Sequence, residues 1–175
     1  MLFEASNATP IYNERLAIVL GLITLLLAVT SFISCRTCVS WLKYLGLQNI
    51  TTSRGYETFN RYHIYYWWAF GVFLTSHVLV AVAHTGWPQA ADPDAGIHWS
   101  ILGIGALSSL SSGIVFSSCR VLPRLAAMAS SKSPISNPGY RFFFKYHTYY
   151  WGIFLSLAVV HFAISYSHAG IWPGG

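Results

Sequence analysis

Residues 62–84 read YHIYYWWAFGVFLTSHVLVAVAH, and residues 146–168 read YHTYYWGIFLSLAVVHFAISYSH. Neither stretch contains Asp, Glu, Lys or Arg, and each is long enough to cross a bilayer as a helix, for which about 20 residues suffice. Each carries a histidine at its start, in its middle and at its end. His63, His77 and His84 return as His147, His161 and His168, at a constant offset of 84. Outside these stretches the offset persists. Gly21, Phe32 and Cys35-Arg36 return as Gly105, Phe116 and Cys119-Arg120, and Gly55-Tyr56 returns as Gly139-Tyr140. The chain reads as one unit of about 84 residues used twice, in repeats of roughly 15–88 and 99–173 within a single membrane domain covering 1–175.

Composition places that unit in a membrane. Charged residues make up 9% of the 175, where soluble domains carry roughly 25%, and 54% are hydrophobic. Four stretches are nearly uncharged and close to membrane-spanning length: Leu16–Cys35, Tyr62–His84, Trp99–Cys119 and Tyr146–His168. A soluble protein this small has no interior in which to hide them. The expected fold is all-α: four transmembrane helices, from a tandem duplication of a two-helix hairpin, packed as a four-helix bundle.

Basic residues orient it. Nine of the ten Lys and Arg lie between the first and second spans or between the third and fourth: Arg36, Lys43, Arg54, Arg61, Arg120, Arg124, Lys132, Arg141 and Lys145. The segment between the second and third spans holds Asp92 and Asp94 and no basic residue. By the positive-inside rule the two basic loops face the cytoplasm and both termini face outward. The net charge of +5 is thus a topological signal rather than a nucleic-acid-binding one. The first apolar stretch is read as a retained helix rather than a signal peptide, since Glu4 and Glu14 precede it where a basic region is expected. No Gly-rich nucleotide fingerprint occurs.

Helical phase gives the histidines a task. Fourteen residues advance an α-helix by roughly 1400°, about 40° short of whole turns, with a rise of about 21 Å. His63 and His77 therefore share one face, as do His147 and His161. With the second and fourth spans parallel, His63 meets His147 at the inner level and His77 meets His161 at the outer level. Ionisable residues at membrane depth are costly and functional, and neutral imidazole is a favoured axial ligand of haem iron. The expectation is two b-type haems, one for each pair. A proton relay or a non-haem metal is the competing use of such histidines, and hydrogen-bonded packing the bland one.

His84 and His168 lie about 10 Å further along their helices. They are expected to contact outer haem propionates or to ligate a third haem. His98 has no counterpart in the repeat and is read as a loop residue. Arg61 and Lys145, two residues before the inner histidines, suit lipid headgroups or haem propionates. The clusters Tyr65-Tyr66-Trp67-Trp68 and Tyr149-Tyr150-Trp151, with Trp87 and Trp172 at the other side, read as aromatic belts. Gly21 and Gly105 mark where a groove for a flat cofactor, or simply close helix packing, is expected. Cys35, Cys38 and Cys119 face a reducing compartment and are read as free thiols rather than a cluster or zinc site. The c-type attachment pattern is absent, since Val39 follows Cys38.

The histidine pattern resembles that of the ferric-reductase-like transmembrane cytochromes b, a group that includes ferric reductases, NADPH oxidases and the haem subunit of periplasmic methionine sulfoxide repair. In that family two parallel helices each carry two histidines 13–14 residues apart, matched by His63, His77, His147 and His161. The resemblance implies electron transfer across the membrane through two bis-histidine haems. This chain differs in having four helices rather than about six, an added outer histidine pair and no reductase domain. The resulting expectation is the membrane subunit of a larger redox complex. Electrons come from partner subunits or quinone, and the bilayer is the other partner. A haem-free anchor or assembly subunit whose histidines bind a metal or a partner, and a stand-alone quinol-dependent reductase, are the alternatives.

Overall fold

The structure is a computed structural model that describes residues 10–85, 95–119 and 137–169. Among the described residues the regular elements are helical: α1 (Pro10–Ile33), α2 (Arg36–Tyr44), α3 (Gln48–Thr51), α4 (Arg54–Arg61), α5 (His63–Thr85), α6 (Ala95–Ser118), α7 (Pro138–Lys145) and α8 (His147–Ala169). Four of them contain stretches long and apolar enough to cross a membrane: Arg15–Ile33, His63–Ala83, Gly96–Ser118 and His147–His168. These are the four stretches expected from composition, to within a few residues. They are apolar all round, as helices must be when lipid covers one side and other helices the other. Leu26, Leu79 and Leu110 accordingly point outward, each about two-thirds exposed.

The short helices set where the long ones begin and end. α1 stops at Ile33, and the backbone turns through Ser34 into an extended Cys35 that starts α2. The last carbonyls of a helix have no partner within it. Here the Tyr56 hydroxyl, on α4, donates to the Ile33 carbonyl at 2.6 Å. The same contact recurs 84 residues on, where the Tyr140 hydroxyl on α7 donates to the carbonyls of Ser117 at 3.2 Å and Cys119 at 3.3 Å. α4 and α7 have built N-termini. Ser53 Oγ accepts from the Tyr56 amide, and Asn137 Oδ1 accepts from the Gly139 amide with Pro138 in the first turn, a favoured use of all three residue types. Each short helix leaves α geometry for one residue, Tyr62 or Tyr146. The long helix then begins on a histidine, His63 or His147.

Two hairpins result, α1 against α5 and α6 against α8. Their backbones approach closely where glycine allows it. A Cβ added at Gly21 would lie 3.1 Å from His77 Cε1, and one at Gly105 would lie 2.9 Å from His161 Cε1. The expected groove at these glycines is therefore filled by the imidazoles themselves. The hairpins meet each other through aromatic side chains. Trp67 packs on Trp151 with ring centroids 5.5 Å apart, and Phe70 on Phe154 at 5.9 Å. Phe32 of the first hairpin reaches Trp151 of the second at 5.2 Å, and Phe116 of the second reaches Trp67 of the first at 5.6 Å. Trp67, Phe70, Trp151 and Phe154 are all buried. Trp67 and Trp151 thus form the core of the seam, which corrects their reading as belt residues. Tyr65, Trp68 and Tyr149 are exposed, as a belt requires.

One expected loop residue lies in a helix. His98 sits in the first turns of α6, which begins at Ala95. Its ring meets that of His168 at 5.4 Å between centroids.

Candidate functional site

The histidines of α5 and α8 face the seam at two levels. At the level nearer the short helices, His63 and His147 sit in matching nests. Ser34 Oγ donates to the Ser31 carbonyl at 3.0 Å and lies 2.7 Å from His63 Nδ1. Its proton being committed, it accepts from Nδ1–H. The lone pair of His63 is then on Nε2, where the Trp67 indole N–H donates at 3.1 Å. His147 repeats the arrangement. Ser118 Oγ donates to the Val115 carbonyl at 2.9 Å and accepts from His147 Nδ1–H at 2.8 Å, and the Trp151 indole N–H donates to Nε2 at 3.1 Å. Both serines are fully buried. A satisfied second partner on Nδ1 fixes the imidazole tautomer and aims Nε2.

Sulfur from the opposite hairpin completes each nest. Cys119 Sγ lies 3.1 Å from His63 Nε2, and Cys35 Sγ lies 3.1 Å from His147 Nε2. The Sγ atoms of Cys35 and Cys119 and a ring nitrogen of His147 all fall within 4.8 Å of one another, and all three residues are buried. None of the three cysteines is in a disulfide. Cys35 and Cys119 are thus free thiols, as expected, but they converge from the two hairpins on one histidine. Cys38 stays outside this group. Burial pushes its thiol up, and neighbouring Cys35 adds to the shift. The Tyr56 hydroxyl is pushed up to about 12, by burial first and then by Cys38 and Cys35. Tyr140 is raised by burial and then by Cys119.

At the second level, the rings of His77 and His161 meet in a T-shaped contact. Their ring centroids are 6.3 Å apart and their planes cross at 80°. His77 Nδ1 lies 2.9 Å from the Ala17 carbonyl. A carbonyl only accepts, so Nδ1 carries the proton and Nε2 keeps its lone pair. On the other side His161 Nδ1 is directed at the Ile101 carbonyl. It makes no well-formed hydrogen bond there and is buried without a partner.

The remaining expected site residues divide. His168 is exposed and pairs with His98. The side chain of His84 lies outside the described residues, as do Trp87, Trp172 and the basic residues Arg120, Arg124 and Lys132. Arg61 and Lys145 are exposed in the last turns of α4 and α7. Lys145 Nζ lies 5.8 Å from the Tyr146 ring centre.

No family model, curated protein or solved structure matches the chain. The site is therefore interpreted on its own chemistry. Sequence reasoning passed over Ser34, Ser118, Tyr56 and Tyr140 as working residues. Their signal was present in the offset: Ser34-Cys35-Arg36 and Ser118-Cys119-Arg120 repeat as triplets.

Proposed function

We propose that the chain is a membrane electron carrier of the b-type cytochrome kind, with His77 and His161 as the two axial ligands of a haem held between α5 and α8. The separation of these two rings carries the reading. With metal–imidazole bonds of about 2 Å and about 1.1 Å from ring centre to nitrogen, imidazoles on opposite sides of one iron have centres roughly 6 Å apart. The observed separation is 6.3 Å. Three further features support it. Ala17 leaves Nε2 of His77 as the free donor atom. Gly21 and Gly105 give both rings room against the neighbouring helices. His161 is the counterpart of His77 in the repeat, so the same ring atom, Nε2, would be its donor.

Bound there, haem would supply one-electron chemistry at a potential set by its two imidazoles and apolar surroundings. The chain's own residues orient the imidazoles and keep water out. Phe70 and Phe154 are buried in the same seam. The expectation of two haems narrows to one in this reading, because a cysteine sulfur stands 3.1 Å from Nε2 of both His63 and His147, where a haem iron would have to sit. A third haem finds no support in His168, whose ring meets His98.

The recurrence of the Ser–His–Trp nest and of the tyrosine contact 84 residues apart supports the tandem two-hairpin origin. The concentration of basic residues around α2, α4 and α7 supports their cytoplasmic placement, with both termini on the opposite side. Electron donor and acceptor then belong to partner subunits or to quinol, as in the ferric-reductase-like cytochromes that the histidine spacing resembles.

The test is haem content of the purified chain, produced with ample haem, by pyridine haemochrome. About one haem b per chain is expected, lost in His77→Ala and in His161→Ala and retained in His63→Ala. A wild-type chain without haem overturns the proposal. Two haems, one of them lost in His63→Ala, restores the two-site arrangement.

A further inference from the structure

We infer that Cys35, Cys119 and His147, with His63 beside Cys119 as the fourth ligand on binding, form a second, haem-independent centre: a site for a single thiophilic divalent metal ion, zinc by the chemistry of its donor set. It uses none of the residues assigned to haem and does not depend on that assignment.

Geometry is the first argument. Around one tetrahedral ion, with metal–sulfur bonds of about 2.3 Å and metal–nitrogen bonds of about 2.05 Å, donor atoms stand roughly 3.3–3.8 Å apart. Here Cys35, Cys119 and His147 bring their donor atoms within 4.8 Å of one another, and His63 Nε2 stands 3.1 Å from Cys119 Sγ. The three donors of that group stand close to coordination spacing, and His63, which lies outside the group, must move further to supply the fourth ligand. Two sulfurs and two imidazole nitrogens in tetrahedral array select zinc among common divalent ions.

Charge is the second. Two thiolates balance a divalent ion, and the two imidazoles are neutral, so the complex carries no net charge. That matters in an apolar seam, where an uncompensated buried charge is strongly disfavoured. Cys35 and Cys119 are each 4% exposed, and His147 is 6% exposed.

The third argument is the support around the ligands. Metal-bound histidines almost always donate their other N–H to a fixed acceptor. Ser34 and Ser118 provide that acceptor for His63 and His147, and each has its own proton tied to a backbone carbonyl. These serines thus leave Nε2, the atom nearest sulfur, as the available donor on both rings. Opposing this are the indole N–H groups of Trp67 and Trp151, which hold the same lone pairs and must release them. The thiolates formed on metal binding are new acceptors for them.

The experiment uses the full chain in detergent, reduced, desalted and assayed for zinc, iron and copper by mass spectrometry, with haem measured in parallel. About one zinc per chain is expected, falling to under about a tenth in Cys35→Ser and Cys119→Ser and unchanged in Cys38→Ser. Ser34→Ala and Ser118→Ala, which keep every ligand, should weaken zinc binding about 10- to 100-fold. Cobalt loaded into the stripped chain should show sulfur-to-metal charge-transfer absorption that the two ligand variants lack, a readout independent of activity. Iron or copper lost in the same two variants also supports the centre while changing its ion. Absence of stoichiometric metal, its retention in both cysteine variants, or a Cys35–Cys119 disulfide in the unreduced chain overturns the inference. A chain with zinc and no haem sinks the electron-carrier proposal alone, and one with haem and no zinc sinks this one alone.

Discussion

Cys35 Sγ lies 3.1 Å from His147 Nε2, although 112 residues separate them. The mirror contact, Cys119 to His63, has the same length. Each hairpin therefore completes the histidine nest of the other, and neither nest is whole within its own half.

Small residues against the imidazoles should govern the level of His77 and His161, where haem is proposed. A methyl group at Gly105 falls 2.9 Å from His161 Cε1, tighter than the 3.1 Å at Gly21, while Gly103 has open space. Gly105→Ala should cost about 1–3 kcal/mol, Gly21→Ala less, and Gly103→Ala almost nothing. Haem occupancy of the three variants, titrated side by side, checks the order. Equal occupancy in all three would remove the glycines from the argument.

The tyrosine contacts should differ in strength. Tyr56 donates to one carbonyl at 2.6 Å, whereas Tyr140 divides its proton between two at 3.2 and 3.3 Å. Tyr56→Phe should lower stability by about 1 kcal/mol, and Tyr140→Phe by less. Thermal unfolding in detergent compares them.

Alkaline pH should act through the same residue. Tyr56 is held at about 12, above its ordinary value of 10. A raised folded value means that its contribution to stability is fully present below pH 10 and is lost as pH rises through 12. The melting temperature should therefore decline over that interval, less steeply in Tyr56→Phe. A parallel decline in the variant would assign the effect to other groups.

The indole donors should oppose metal binding. Trp151→Phe keeps most of the buried ring and removes the N–H held by His147 Nε2. Zinc affinity should rise, measured by competition with a chromophoric chelator. Trp151→Ala should instead cost about 3–5 kcal/mol through the cavity left at a fully buried site.

The spans were legible because bilayer thickness demands about 20 apolar residues and few soluble segments imitate that. Helical phase was equally readable: it put His77 opposite His161, where the structure has them. What stayed hidden has physical reasons. The partner of Cys35 lies in the other hairpin, and spacing within one hairpin carries no information about which side chains the second brings across the seam. Trp67 and Trp151 looked like belt residues because an aromatic at a span's end has the same sequence signature whether it points to lipid or inward. His98 closely follows Asp92, Pro93 and Asp94, and hydropathy alone does not locate helix ends to the residue.

The seam itself has a mechanical consequence. Backbone contact is close within each hairpin, while the two hairpins touch through rings such as Trp67 on Trp151 and Phe70 on Phe154. Those rings meet tilted or edge-on, at 43° and 80°, so side chains rather than backbone set the spacing between the two hairpins. His77 and His161 span that seam at one depth, and the cysteine–histidine pairs span it at another. Whatever fixes the hairpin spacing at one depth also sets the donor-atom separation at the other, which ties the two levels together without any residue common to both.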